Sequence, residues 1–454
     1  SIMKKSNYIS IIISLLTISF MACDDNLNIE PEQNLSPHVA TESPANVKKI
    51  LNNIYAVARD NSSYGGGIAL ASELIGNAGG ISWNGTYVQP AEYNEKAILS
   101  DNSFVEGIWI NAYDISNEAN IVLSSLSVFT DASEKDLVEG EAKFLRGMAY
   151  FDLARLYSKT YVPGLQNSQP AVPIVLTAVL NSSVIDYPSR NILEEVYSQV
   201  ISDLTDAYNL LPSSNDIYAT KYSAAALLAR VYLEKGDYDN ARAMANDVIN
   251  NSGSSLTTSF DGAFNNEENS VEDLFAWQVT SQDASSNDFN LFWAGSEFGG
   301  RNGNPDVSIE EQHFDIYDDP SDDRALYFYV TARGTATTKW QNQFGNISFL
   351  RLAEMYLVRA ESNFRKGTSI GATPLNDINA LRARANASPY NSVNLATILM
   401  ERKRELAFEG FTLFDAKRLG ENVGSIPSNA NQLVLPIPLR EMDVNPNLTQ
   451  NEGY

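Results

Sequence analysis

Residues 225 to 248 read AALLARVYLEKGDYDNARAMANDV. Leu228, Ala229 and Tyr232 recur at helical spacing, Gly236 then breaks the pattern, and Tyr238, Ala241, Ala245 and Val248 resume it. The spacing predicts two antiparallel helices joined at Gly236-Asp237. Alanines at 229 and 241 let the two backbones approach closely, and Tyr232 and Tyr238 fill the seam between them.

That pattern is the one a tetratricopeptide unit uses. Looser copies stand at 142 to 158 and at 349 to 367, where FLRLAEMYLVRAESNFRKG again ends an alanine-bearing helix on a glycine. Three or more such hairpins stack so that each buries the face its neighbour leaves bare. Further helices are expected at 46 to 59, 105 to 126, 134 to 161, 191 to 211 and 218 to 250, the last interrupted at Gly236. The fold class read from the chain is therefore all-α: a tetratricopeptide-like helical superhelix with a loop-rich, mostly irregular subregion. Its scaffold would occupy 45 to 250 and 349 to 454 of a single domain, and the loop-rich excursion 251 to 348.

Two stretches lack helical periodicity. Residues 60 to 94 are rich in Gly, Asn and aromatics, with room for at most one short helix, and residues 251 to 348 hold Ser, Asn, Gly and Asp among scattered rings and short strands or turns. Long loops inside a compact domain commonly carry function. In them Tyr64, Trp83, Asn84 and Tyr87, and Trp293, Phe298 and Asn302, pair flat apolar faces with amide groups. A sugar ring offers a C–H face and a hydroxyl rim, so these seven are candidate glycan contacts. Each ring has an equally physical alternative, which is to anchor its loop to the body.

The 454 residues carry 32 Lys+Arg against 56 Asp+Glu, a net charge of −24, which disfavours a nucleic-acid partner. With two histidines, His38 and His313, and one cysteine, Cys23, no zinc set can be assembled and no cofactor motif is present. The acidic run Asp318 to Arg324 lacks the spacing of a calcium loop and reads as a turn followed by a helix cap. Paired carboxylates for glycoside hydrolysis remain conceivable at Glu401, Glu405 and Glu409. Four apart on one expected helix, with Arg402 and Arg404 between them, they read better as an ion-pair network reaching Arg351, Glu354 and Arg359. No catalytic residue is assigned.

Lys4 and Lys5 precede an apolar run from Tyr8 to Ala22, too short to span a bilayer, which ends immediately before Cys23. Residues 1 to 22 read as a signal peptide and FMAC as a lipobox that makes Cys23 the site of lipid attachment. Residues 23 to 44, polar and Pro-containing, read as a tether.

Three stretches then carry a resemblance. ERKRELAFEG followed by DAKR (401 to 418), LPIP followed by NPNLTQNEGY at the C-terminus, and FLRLAEMYLVRAES (349 to 362) resemble the SusD/RagB family of outer-membrane nutrient-binding lipoproteins. The resemblance implies a lipid-anchored binding protein on the outside of the outer membrane. It would pass an oligosaccharide, or in the RagB branch a peptide, to a TonB-dependent transporter of the SusC type, without catalysis. It also implies that Arg402, Glu405, Glu409, Asp415 and Arg418 are determinants of the fold.

Overall fold

The computed structural model describes residues 41–181, 186–282, 287–301 and 305–454. The signal segment 1–22, Cys23, His38, most of the tether and Asn302 lie outside the described residues.

Helix α1 (Pro44–Ala58) starts on a Ser43 side-chain cap with Pro44 in its first turn, and buries Val47, Leu51 and Ile54. It packs on α4 (Ser103–Ser124), α4 on α5 (Ala132–Tyr157), and α5 on α6 (Leu193–Leu210). The decisive hairpin follows as α7 (Lys221–Lys235) and α8 (Tyr238–Asn251). Thr220 and Ser223 close a capping box at its start, Gly236 takes φ +74° at the corner, and Asp237 caps α8. Ala229, Ala241, Ala245 and Val248 are all fully buried, as the close approach of two helices requires. α8 packs on α11 (Leu352–Lys366), and α11 on α12 (Pro374–Arg384) and on α13 (Leu395–Glu405). Sequential neighbours thus bury one another along a solenoid whose largest hydrophobic cluster runs from Val47 to Leu448, with a second joining α11, α12 and α13.

The two loop stretches are more regular than expected. The first holds two helices, α2 (Gly67–Ile75) and α3 (Val88–Glu95), and strand β1 (Ile81–Trp83). Every residue of α2 is buried, so it has no polar face from which a period could be read. The second stretch supplies β2 (Asp273–Trp277), α9 (Asp288–Trp293), β3 (Val307–Ile309), α10 (Asp323–Leu326), β4 (Phe328–Thr331), β5 (Gly334–Thr337) and β6 (Ile347–Arg351). β2 pairs with β6, and β1, β3, β5 and β4 form an antiparallel sheet in that order. Two loops more than 200 residues apart in sequence therefore become one body: Ile81 faces Ile309, Ser82 faces Ser308 and Trp83 faces Val307. The chain closes with α14 (Thr412–Leu419), packed on α2, and α15 (Leu439–Val444).

The acidic segment departs from the single helix expected. α13 ends at Glu405, and Phe408 at φ +65° turns the chain, so Glu409 lies beyond the helix. Glu401, Glu405 and Glu409 are buried among cations instead. Arg351 meets Glu405 at 2.6 Å and Glu272 at 2.9 Å, Arg324 meets Glu401 at 2.6 Å, Arg384 bonds Glu405 and Glu272, and Lys339 reaches Glu409 at 2.6 Å. Of the three partners expected from the preceding helix, only Arg351 joins this network. Glu354 pairs with Arg230 at 2.8 Å and Arg359 with Asp377 at 2.6 Å, because their positions on α11 face α7 and α12. Arg402 likewise turns to Asp415, 2.8 Å away, which also holds Arg418.

Candidate functional site

The four-stranded sheet positions the candidate surface. The residues after β1 fold back on themselves: Trp83 Nε1 donates to the Tyr87 carbonyl at 3.2 Å, and Gly85 lies against the indole, where a Cβ would come within 2.3 Å of the ring. Asn84 ties this turn to the neighbouring strand, its backbone N–H donating to the Asp306 carbonyl and its side chain to Ser308 Oγ at 2.9 Å. Phe292 of α9 sits beneath, edge-on to Trp83 at 5.6 Å and to Tyr87 at 6.1 Å. Held from below in this way, Tyr87 remains 42% exposed.

Arg301 lies over the Tyr87 ring, its guanidinium carbon 4.1 Å from the ring centre. Its Nε donates to Asp306 Oδ2 at 2.7 Å and one Nη to Thr86 Oγ1 at 3.1 Å. The bond to Asp306 holds the guanidinium above its ordinary range, so it is charged at any accessible pH. Three residues upstream, Phe298 is 40% exposed and stands edge-on to Tyr329 of β4 at 5.3 Å. Asn290 fixes this corner by donating to the Phe298 carbonyl at 2.9 Å. Tyr87 follows the edge strand β1, and Tyr329 lies on β4 at the other edge of the sheet.

The seven candidates do not share one environment. Asn84, Tyr87 and Phe298 are exposed, and Trp83 is half-buried. Tyr64 and Trp293 are buried. Tyr64 stacks on Trp277 at 5.3 Å and donates to Asp152 at 2.6 Å, and Trp293 packs on Phe408 at 5.5 Å with 1% of its surface exposed. Both act as anchors, the alternative open to every aromatic in these loops. Arg301, Thr86 and Tyr329 adjoin these residues; Thr86 and Tyr329 carry no sequence signal beyond their location, and Arg301 only its isolation as a cation.

Two other residue groups stand elsewhere. His313 is enclosed by Phe314, Phe328 and Phe408; burial, reinforced by the charge on Lys339, pushes it down to about 4, so its ring is neutral. In the acidic run, Asp319 accepts from the backbone and hydroxyl of Ser321, and Asp322 caps α10, the turn and cap that the sequence implied.

Two family models match the chain: one described as "Starch-binding associating with outer membrane" over residues 25–233, and one described as "SusD family" over residues 235–424. The chain belongs to the SusD family. SusD-like protein P2 of Formosa agariphila is 28% identical over the full length of both chains. The starch-binding protein SusD of Bacteroides thetaiotaomicron is 34% identical over 27% of this chain and 26% of its own. Among solved structures, a SusD superfamily protein of Bacteroides thetaiotaomicron superimposes with a TM-score of 0.81 at 25% identity, over 90% of this chain and 99% of that one. A putative sugar binding protein of Bacteroides vulgatus gives 0.79 at 25% identity, over 91% and 99%. The resemblance read from the C-terminal motifs is thus membership, and the solenoid is the family's helical scaffold. Among the described residues no helix is long and apolar enough to cross a membrane.

Proposed function

We propose that this chain is a surface-exposed outer-membrane lipoprotein, lipidated at Cys23 after removal of residues 1–22 and lifted from the membrane on residues 23–44. It binds an oligosaccharide on the surface formed by Asn84, Tyr87, Arg301 and Phe298 and hands it to a SusC-type TonB-dependent transporter. The observation that carries this reading is the union of two remote loops in one sheet that exposes rings at both of its edges. Rigid stacking faces flanked by amide and guanidinium donors suit a polymer of hydroxyl-bearing rings, and half-open platforms allow the release that hand-over demands.

Capture of this kind needs no reaction. Of the carboxylates best placed for hydrolysis, Glu401 and Glu405 are completely buried and occupied by arginines, and Glu409 is bound by Lys339 and Arg351. A peptide-binding role is supported by one feature, the edge strand β4, whose outer backbone groups can accept an added strand. A panel of soluble polysaccharides and mixed peptides, titrated calorimetrically against the protein beginning at residue 24, separates these readings. The glycan reading expects heat with at least one polysaccharide and none with peptides. Binding to peptides alone would replace it, and turnover of a bound glycan would overturn the non-catalytic role.

A further inference from the structure

Resting on the glycan-binding reading, a further conclusion concerns the charge of the ligand. Between Arg242 and Arg324 the sequence contains a single Lys or Arg, Arg301. That one cation is already matched on the candidate surface, because Asp306, 2% exposed, accepts from its Nε at 2.7 Å. Its flat placement on Tyr87 and its bond to Thr86 leave it as an oriented hydrogen-bond donor with its charge compensated. The rest of the neighbourhood tilts acidic. Glu310 accepts from Ser82 Oγ beside Asn84, and Glu297 and Glu311 are exposed in the same loops. Arg333 at the β4–β5 turn is exposed, and Gly334 beside it borders Ser308. The whole chain, these residues included, carries a net −24.

We infer that the Arg301–Asp306 pair makes this surface selective for uncharged glycans and that Asp306 is the residue setting that selectivity. A carboxylate or sulfate brought to Tyr87 would meet Arg301 only in competition with Asp306, and would add its charge to those of Glu297, Glu310 and Glu311. A hydroxyl meets no such opposition and accepts from the same guanidinium. Asp306 acts through Arg301 and is a positioning residue in the sense that it fixes both the orientation and the effective charge of the donor.

The test compares neutral hexasaccharides of glucan, xylan and mannan with hexagalacturonate and hexamannuronate, titrated against wild type, Asp306→Asn and Asp306→Asn/Arg301→Gln. Wild type should bind at least one neutral chain and each uronate at least about tenfold more weakly, a gap of about 1.4 kcal/mol. Asp306→Asn should narrow that gap by freeing the charge of Arg301, and the added Arg301→Gln change should restore it. Should Asp306→Asn fail to fold, salt supplies the second measurement: raising ionic strength from 0.01 to about 1 M shortens the screening length from about 30 to 3 Å and should narrow the gap in wild type. Uronates bound as tightly as neutral chains, or a gap unmoved by both Asp306→Asn and salt, would overturn the inference while leaving glycan binding intact. Binding of no oligosaccharide in the panel would instead reject the glycan reading on which it rests.

Discussion

Arginine is used in two opposite ways in this molecule. Around α13 the guanidinium groups of Arg324, Arg351 and Arg384 are buried and surrounded by Glu272, Glu401 and Glu405, with several bonds to each acid. At the sheet, Arg301 has one carboxylate partner, an aromatic ring beneath it and an open side. Charges taken out of water must be fully compensated, so the first cluster locks helices α10, α12 and α13 to the sheet strand β6 and tolerates no missing member. The second, Arg301, keeps 18% of its side chain exposed and stays available to a visitor. Where a charged group sits thus separates residues that make the fold from residues that can bind, even though both sets combine Arg with acid and aromatic neighbours.

The largest effect should come from the buried cluster. Glu405→Ala removes a carboxylate shared by Arg351, Arg384 and Arg324, leaves the buried cluster with excess positive charge, and should cost about 3 to 5 kcal/mol in urea unfolding. A loss under about 1 kcal/mol would mean that the cluster behaves as a surface pair and would erase the contrast. Trp293→Ala, which empties a packed site against Phe408, should likewise cost about 3 to 5 kcal/mol while leaving glycan affinity of the folded protein unchanged. Lost affinity at unchanged stability would transfer Trp293 to the binding surface.

Acid should act through the buried ion pairs of both Asp415 and Glu405. Burial alone would raise Asp415, but Arg402 and Arg418 outweigh it and hold its carboxyl at about 2; Glu405 is likewise held below the usual range by Arg384, Arg351 and Arg324 against its burial. A carboxyl depressed on folding stabilises the folded state above its unfolded value and loses that contribution as pH falls through the folded one. For Asp415 the contribution is on the order of 2 kcal/mol, present above about pH 4 and lost toward pH 2. Thermal melts from pH 6 to pH 2 should show this decline, and a flat profile would contradict the ionic account of the core.

The helices of the solenoid were legible because one face of each repeats at three and four, and the hairpin at Gly236 because its corner demands a left-handed residue. α2 was hidden by its own burial, since Gly67 to Ile75 has no polar side. β1 and β3, three residues each, are too short to alternate visibly. The three glutamates looked like one helical face because nothing in LAFEG announces that Phe408 will turn the chain. The candidate site was legible as two aromatic loops and no further. Trp83 and Trp293 both stand near glycine, and only the packing of Phe408 over the second distinguishes them. Arg301 could have been noticed as the lone cation of a long acidic stretch, a signal of charge and not of motif.

The most direct test of the division between scaffold and surface is calorimetric titration of the bound polysaccharide against wild type, Tyr87→Ala and Phe298→Ala, each paired with a thermal melt. Loss of one stacking face should remove about 1 to 2 kcal/mol of affinity, roughly 5- to 30-fold, while these half-exposed rings leave the melting temperature nearly unmoved. Unchanged affinity in both variants, or affinity lost only in step with stability, would contradict the account.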